Sequence, residues 1–280
     1  RCVYCMPAEG LPWLPREAIL TDDEIVAVVR ELAPLGLRRI RLTGGEPTLR
    51  PGLARLVARL RALPSIEDLS LSTNGVRLPA MAGELRAAGL DRVNVSVDSL
   101  RPERIVALAR RDLRFEPLRA LEAASAAGFD PVKVNVAVIR GRNDDELEAL
   151  ARLTLDRPWH VRFIELMPVG ELAEREAAEG AEPAALVVPS EEVLERLGAL
   201  GNALGRPLAA GGAPRAGNGP AVYYRFHGAP GSVGVITPMT HTYCGSCNRV
   251  RLTADGRLRT CLYGDHEVSL RDALRAGAPG

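Results

Sequence analysis

Strand-like and helix-like segments alternate at intervals of about 30 residues through more than half of this 280-residue chain, the rhythm of repeated βα units on a parallel sheet. Runs rich in β-branched residues occupy positions 38–43, 69–73, 93–98, 132–139 and 161–167. Between them, residues 53–63, 80–88, 118–127 and 144–155 place apolar side chains at helical spacing, the last with Asn143 as its expected N-cap. A further helix opens at the capping box Thr21-Asp22-Asp23-Glu24 and stops at Pro34 and Gly36.

The strands carry a second pattern. Arg39, Arg41 and Thr43 share one face, as do Ser70 and Ser72, then Asn94, Ser96 and Asp98, then Lys133 and Asn135, while the opposite face is largely Ile, Leu and Val. In a parallel barrel the outer face packs on helices, so a repeated polar inner face predicts a lined cavity rather than a packed interior. The alternative is an antiparallel sheet with one wet face. After Met167 the rhythm breaks down: residues 171–189 and 206–220 are rich in Ala, Gly and Pro and read as loops, with a short helix expected after Ser190. Antiparallel strands are expected at 222–227 and 233–237. Strands at 248–253 and 258–262 flank Asp255-Gly256, read as a two-residue hairpin turn that sets Cys261 opposite Val250 and returns it toward Cys247. The expected architecture is α/β: an incomplete parallel (βα)6-type barrel over residues 1–168, connecting loops and a short helix over 169–220, and a C-terminal β-containing extension over 221–280.

Composition narrows the function classes. The 36 basic and 35 acidic side chains nearly balance, which argues against a nucleic-acid backbone or an anionic membrane as main partner. No apolar run approaches the roughly 18 residues of a membrane helix and the opening residues do not read as a signal peptide, so the cytoplasm is the expected location. Lys133 is the sole lysine, so a phosphate-binding GKS/T loop is ruled out and any nucleotide must be held by other means. A lone ammonium on the proposed inner face suggests that a compact cation is needed there; the other readings are chance or a Schiff-base lysine. Arg249 and Arg251, two apart on an expected strand, would share a face and fork onto phosphate, against the plainer reading of a solvated strand in an Arg-rich chain. His160 and His227 read as structural.

The five cysteines fall into two groups, Cys2 and Cys5, then Cys244, Cys247 and Cys261. Two CxxC pairs with an odd count are thiolates for metal or redox work rather than a disulfide framework. The later trio suits an iron-sulfur cluster or a structural zinc completed by His241 or His266; spacing alone leaves both open.

Arg1-Cys2-Val3-Tyr4-Cys5-Met6-Pro7 resembles the latter part of the CxxxCxxC signature of the radical S-adenosylmethionine (SAM) family, whose first cysteine would lie before Arg1. Gly44-Gly45-Glu46-Pro47, after the first expected strand, resembles the family's segment for the methionyl amino group of SAM; a tight strand-to-helix turn would explain the two glycines without needing Glu-Pro. RCVYCMP, RLTGGEP, STNG around Asn74, RVNVSVDS, VKVNV, the Gly141–Asp144 turn, RFIELM, and CGSCNRVRLTADG followed by Cys261 together resemble the GTP 3′,8-cyclase family of molybdenum cofactor biosynthesis. That resemblance implies two [4Fe-4S] clusters, one on Cys2 and Cys5 and one on Cys244, Cys247 and Cys261. It places Tyr4, Gly44, Gly45, Glu46, Ser96 and Met167 around SAM, and Arg41, Ser72, Lys133 and the stretch Arg249, Val250, Arg251 around GTP. Lys133, Arg249 and Arg251 would carry catalytic roles. Ser72 stands where relatives often have Thr, and either hydroxyl can hydrogen-bond. The implied partners are GTP as substrate, an electron donor and a downstream cyclic pyranopterin monophosphate synthase, in a monomer or homodimer. Relatives end in a Gly-Gly tail that reaches the site, which Ala278-Pro279-Gly280 does not match. Two alternatives are a peptide-modifying radical SAM enzyme with an auxiliary cluster and a zinc-stabilised, non-catalytic barrel.

Overall fold

The computed structural model of the chain describes residues 2–112, 114–167, 177–178, 182–214, 219–262, 264 and 266–277. Arg1, the tail Ala278-Pro279-Gly280 and parts of the loops expected at 171–189 and 206–220 lie outside those residues. Among them the strands are β1 (Arg39–Leu42), β2 (Asp68–Thr73), β3 (Arg92–Ser96), β4 (Val132–Val138), β5 (Trp159–Glu165), β6 (Leu208–Ala210), β7 (Val222–Phe226), β8 (Ser232–Ile236), β9 (Arg251–Leu252), β10 (Arg257–Arg259) and β11 (Glu267–Ser269). The α-helices are α1 (Asp22–Leu32), α2 (Leu53–Arg61), α3 (Leu78–Ala87), α4 (Pro102–Ala109), α5 (Pro117–Ala126), α6 (Leu147–Asp156), α7 (Ser190–Ala203) and α8 (Leu270–Arg275). Residues group into two compact units, Arg1–Leu11, Thr73–Ala82 and Arg92–Gly245 in one, and Pro12–Ser72, Gly83–Asp91 and Ser246–Gly280 in the other.

In the first unit β3, β4, β5 and β8 pair in parallel, and β7 and β6 continue the sheet antiparallel. The strands β7 and β8, expected in the C-terminal extension, thus run in the same sheet as β5. The register builds rows of alternating chemistry. Asn94, Lys133, His160 and Ser232 lie side by side, and Ser96, Asn135, Arg162 and Gly234 form the next row on that face. Between these rows lies Val95, Val134, Val161 and Val233, which belongs to the opposite, apolar face. That face is buried, and α6 packs on β5 and on α7. The βα rhythm and the polar inner face expected from the sequence are therefore both present.

The second unit holds the parallel pair β1 and β2, with Arg41 beside Ser70, and the antiparallel sheet β11-β10-β9. Its α1 has the expected capping box, with the Thr21 hydroxyl accepting from Glu24 N and the Glu24 carboxylate accepting from Thr21 N at 2.7 Å. Two local expectations are corrected. Residues 102–109 form α4, opened by Pro102 in its first turn, where no element was expected. Residues 208–210 form a strand within a stretch read as loop.

Candidate active site

Cys2 and Cys5 sit on a tight turn in which Cys5 N donates to the Cys2 carbonyl at 2.9 Å and Met6 N to the same oxygen at 3.4 Å. The turn is tied down from outside: Val3 N donates to the Leu108 carbonyl, Arg110 Nη1 to the Met6 carbonyl, and Val3 and Tyr4 pack against Leu108, Ile139 and Leu166. The Tyr4 hydroxyl donates to Asp98 Oδ2 at 2.6 Å, and Asp98 Oδ1 accepts from Ala137 N at 2.9 Å. Burial, with the neighbouring Asp98 second, pushes both the Cys2 thiol and the Tyr4 phenol up, and burial likewise raises Asp98. Asn143 does not cap the following helix as expected. Its Oδ1 accepts from Ile139 N while its Nδ2 donates to the Asp98 and Ala137 carbonyls, so the side chain braces the strand ends beneath the cysteine turn.

Deeper in the same unit the polar rows bury cations. Arg92, Lys133 and Arg162 are 2%, 3% and 3% exposed, and Arg162 Nη2 donates to Asn94 Oδ1 at 2.9 Å. Arg162 Nε and Asn135 Oδ1 find no hydrogen-bond partner, leaving a buried donor and a buried acceptor with capacity to spare. Burial, and then Lys133 and Arg225, lower His160 from 6.5 to about 4, so its ring is neutral and bonds Ser232 Oγ through Nδ1 at 2.7 Å. The structural reading of His160 fits this arrangement; His227 is exposed. Ser96 closes β3, exposed, and Met167 lies two residues past β5, half-buried.

In the second unit Gly44 and Gly45 follow β1. Gly44 has φ +148°, and a Cβ at either position would meet nothing within 4 Å, so the backbone there is open to close approach. Glu46 has a structural use that sequence reading denied it: its Oε1 accepts from Thr48 N at 3.0 Å and Thr48 Oγ1 at 2.6 Å, capping the turn Pro47–Leu49. Arg41 is exposed and Ser72 half-buried on the polar face. The Asp255-Gly256 hairpin differs from expectation by one residue. Its loop spans Ala254, Asp255 and Gly256, closed by Thr253 N to the Arg257 carbonyl at 2.9 Å, with Gly256 at φ +82°. Arg259 consequently faces Arg251, a register that carries Cys261 toward Arg249 rather than Val250, and the ladder ends before either. Arg249 lies outside β9, so the shared strand face expected for Arg249 and Arg251 is not formed. Arg249 instead hydrogen-bonds Cys247 through its backbone N–H and its side chain, which lowers that thiol.

Among the described residues no two cysteines are joined as a disulfide, and no three His, Cys, Asp or Glu side chains are gathered into a preformed metal cage. His241 Nδ1 faces Glu191 and Thr240, and His266 is exposed. The donors nonetheless fit iron-sulfur clusters: soft thiols on short turns, one of them already biased toward thiolate. Sequence reading missed Asp98 as the partner of Tyr4, and Arg162 and Glu165 altogether. Arg162 was available as the next polar position beside Lys133 and Asn135.

Comparison with known proteins places these features. The Radical SAM superfamily matches residues 1–154 and Molybdenum Cofactor Synthesis C matches residues 159–280. The GTP 3′,8-cyclase of Pelotomaculum thermopropionicum is 48% identical over 99% of this chain and 82% of its own length. The corresponding enzymes of Moorella thermoacetica and Streptomyces coelicolor are 46% and 44% identical over 100% of this chain, and over 82% and 79% of their own lengths. Among solved structures, Streptococcus suis SuiB bound to S-adenosylmethionine matches at a TM-score of 0.57 with 12% identity, covering 98% of this chain and 62% of SuiB, a likeness of fold alone. No helix among the described residues is long and apolar enough to cross a membrane. Two family matches that together span nearly the whole chain, and full-length relatives at this identity, agree with the cysteine turn, the open glycines and the cationic interior: the chain belongs to the radical SAM superfamily and, within it, to the GTP 3′,8-cyclases.

Proposed function

We propose that this chain converts GTP to (8S)-3′,8-cyclo-7,8-dihydroguanosine 5′-triphosphate, the radical SAM lyase step of molybdopterin biosynthesis. The observation that carries this reading is the set of three buried cations, Arg92, Lys133 and Arg162, on separate strands of the unit that also bears Cys2 and Cys5. Burying several cations in one sheet is costly, and a polyphosphate is a ligand of complementary charge for them.

When bound, a reduced [4Fe-4S] cluster with SAM supplies a 5′-deoxyadenosyl radical as the hydrogen-abstracting agent. The chain's own part is to bind, orient and exclude water. Cys2 and Cys5 would hold the first cluster on a turn whose shape Asp98 and Tyr4 maintain. Tyr4, Gly44, Gly45, Glu46, Ser96 and Met167 would border SAM, with the bare backbone at Gly44 and Gly45 giving a carboxylate or amino group room to lie close. Lys133 and Arg162 would hold phosphate oxygens from the sheet interior, joined by Arg41, Ser72, Arg249, Val250 and Arg251 in the GTP contact. Lys133, Arg249 and Arg251 would take the catalytic roles of steadying charge and supplying a proton. Cys244, Cys247 and Cys261 would hold a second [4Fe-4S] cluster, and the hydrogen bonds from Arg249 would lower the Cys247 thiol and so favour its deprotonation. Boundaries near residues 168 and 220, a cytoplasmic location, an electron donor, a downstream cyclic pyranopterin monophosphate synthase and a monomer or homodimer belong to the same proposal.

The test is anaerobic reconstitution of the full-length protein followed by metal analysis and assay of 5′-deoxyadenosine formation. GTP-dependent deoxyadenosine from a brown, iron-loaded protein is the expected result. Zinc in a colourless protein, or SAM cleavage indifferent to GTP, would overturn it.

A further inference from the structure

Glu165 ends β5 with its carboxylate buried, the residue being 4% exposed, and every hydrogen bond it makes goes to a segment remote in sequence. Its Oε1 accepts from Ser190 N at 3.0 Å, the first residue of α7, and from Thr240 Oγ1 at 2.5 Å. Its Oε2 accepts from Met239 N and Thr240 N, both at 3.0 Å. One carboxylate thus caps a helix that has no side-chain cap of its own and grips the segment between β8 and Cys244. Two further contacts fasten that segment: Thr237 Oγ1 donates to the His241 carbonyl at 2.9 Å, and His241 Nδ1 approaches Glu191 Oε1 at 3.3 Å.

We propose that Glu165 is a positioning residue for Cys244, fixing the path of residues 237–244 against the end of β5 and the start of α7. The inference rests on the reading of Cys244 as a ligand of the second cluster. It follows from donor and acceptor counting. Four donors converge on two oxygens, an arrangement that only an ionised carboxylate satisfies, because a carboxamide offers one acceptor oxygen and turns an NH2 toward the remaining donors. Anchoring by backbone N–H groups also fixes the main chain itself, which leaves the cysteine that follows few ways to wander. A ligand so prepared loses less freedom when a metal centre assembles on it.

The test uses the full-length protein in its metal-free form and after reconstitution, with Glu165→Gln, Thr240→Ala and Cys244→Ser variants. Without metal, amide exchange of Met239 and Thr240 in Glu165→Gln should quicken by about 10- to 100-fold, while the amides of β8 keep their protection. Thr240→Ala, which leaves the carboxylate with its three backbone donors, should show a smaller change at the same amides and carries the test if Glu165→Gln does not fold. On reconstitution Glu165→Gln should lose the electron paramagnetic resonance signal of one cluster and retain that of the other. Unchanged exchange at Met239 and Thr240, an equal rise throughout β8, or both cluster signals kept in the folded variant would each overturn the proposal. If Cys244→Ser keeps both clusters while Glu165→Gln still frees the segment, the ligand reading has failed, and the role of Glu165 with it, although the anchor itself is real.

Discussion

Replacing Gly256 by alanine sets a methyl group where both the backbone and the packing resist it. Gly256 is buried in the hairpin loop at φ +82°, its N–H donating to the Thr253 carbonyl and its own carbonyl accepting from Leu270 N and Arg271 N at the start of α8. A Cβ there would stand 2.5 Å from Arg271 Cβ, 2.9 Å from Leu20 Cδ2 and 3.2 Å from Arg271 N. The left-handed backbone costs an L-residue about 1 to 2 kcal/mol, and forcing a methyl into occupied space adds about 1 to 3 kcal/mol. Gly36 isolates the first part, since it has φ +98° and a Cβ there would meet nothing within 4 Å. Urea unfolding should therefore show Gly36→Ala destabilised by about 1 to 2 kcal/mol and Gly256→Ala by about 2 to 5 kcal/mol. The larger loss should be accompanied by weakened cluster binding on the Cys261 side, because the same loop sets the register of Arg251 and Arg259. Equal losses in the two variants would mean that the close contacts around Gly256 carry nothing.

Three other outcomes are expected. Asp98→Ala leaves the Tyr4 hydroxyl and the Ala137 amide without their acceptor and should cost about 2 to 4 kcal/mol, whereas Tyr4→Phe costs less; in a double-mutant cycle the two should be strongly non-additive, and simple additivity would remove the case for a coupled pair. His160 has its folded value lowered from 6.5 to about 4, so its contribution is present above pH 6.5 and fades as pH falls toward 4, a change of about 2 to 3 kcal/mol. His160→Gln should flatten stability over that window in pH-resolved thermal unfolding. Glu24, lowered from 4.5 to about 2 chiefly by its hydrogen bond with Arg275, gives stability present above pH 4.5 and lost as pH falls through 2. Glu24→Gln should remove that acid limb, and an unaltered acid profile would show the pair to be ornamental.

Much of this arrangement was written in local periodicity. The alternation of Asn94, Ser96 and Asp98 with valines dictates which face is polar whatever the neighbours are, and the Thr21 to Glu24 box specifies its own cap. What escaped depends on partners distant in sequence. Asn143 looked like a cap because Asn often is one, yet Ile139 N takes the Oδ1 that capping would need, while the Asp98 and Ala137 carbonyls hold its amide group. Asp255-Gly256 fits both a two-residue and a three-residue loop, and the choice is made by Leu270 and Arg271 docking on the Gly256 carbonyl. Glu165 sits on the outward, apolar side of β5 by alternation, where a charge looks misplaced until α7 and the Met239-Thr240 amides arrive to receive it.

The strand Leu208–Ala210 closes one margin of the first unit's sheet, and it is only three residues long, running straight into Gly211 and Gly212 with φ of +122° and +80°. A foreign strand laid along that margin would find only a short run of unpaired amides and carbonyls before the template bends away. A margin this brief gives the sheet protection against edge-to-edge aggregation.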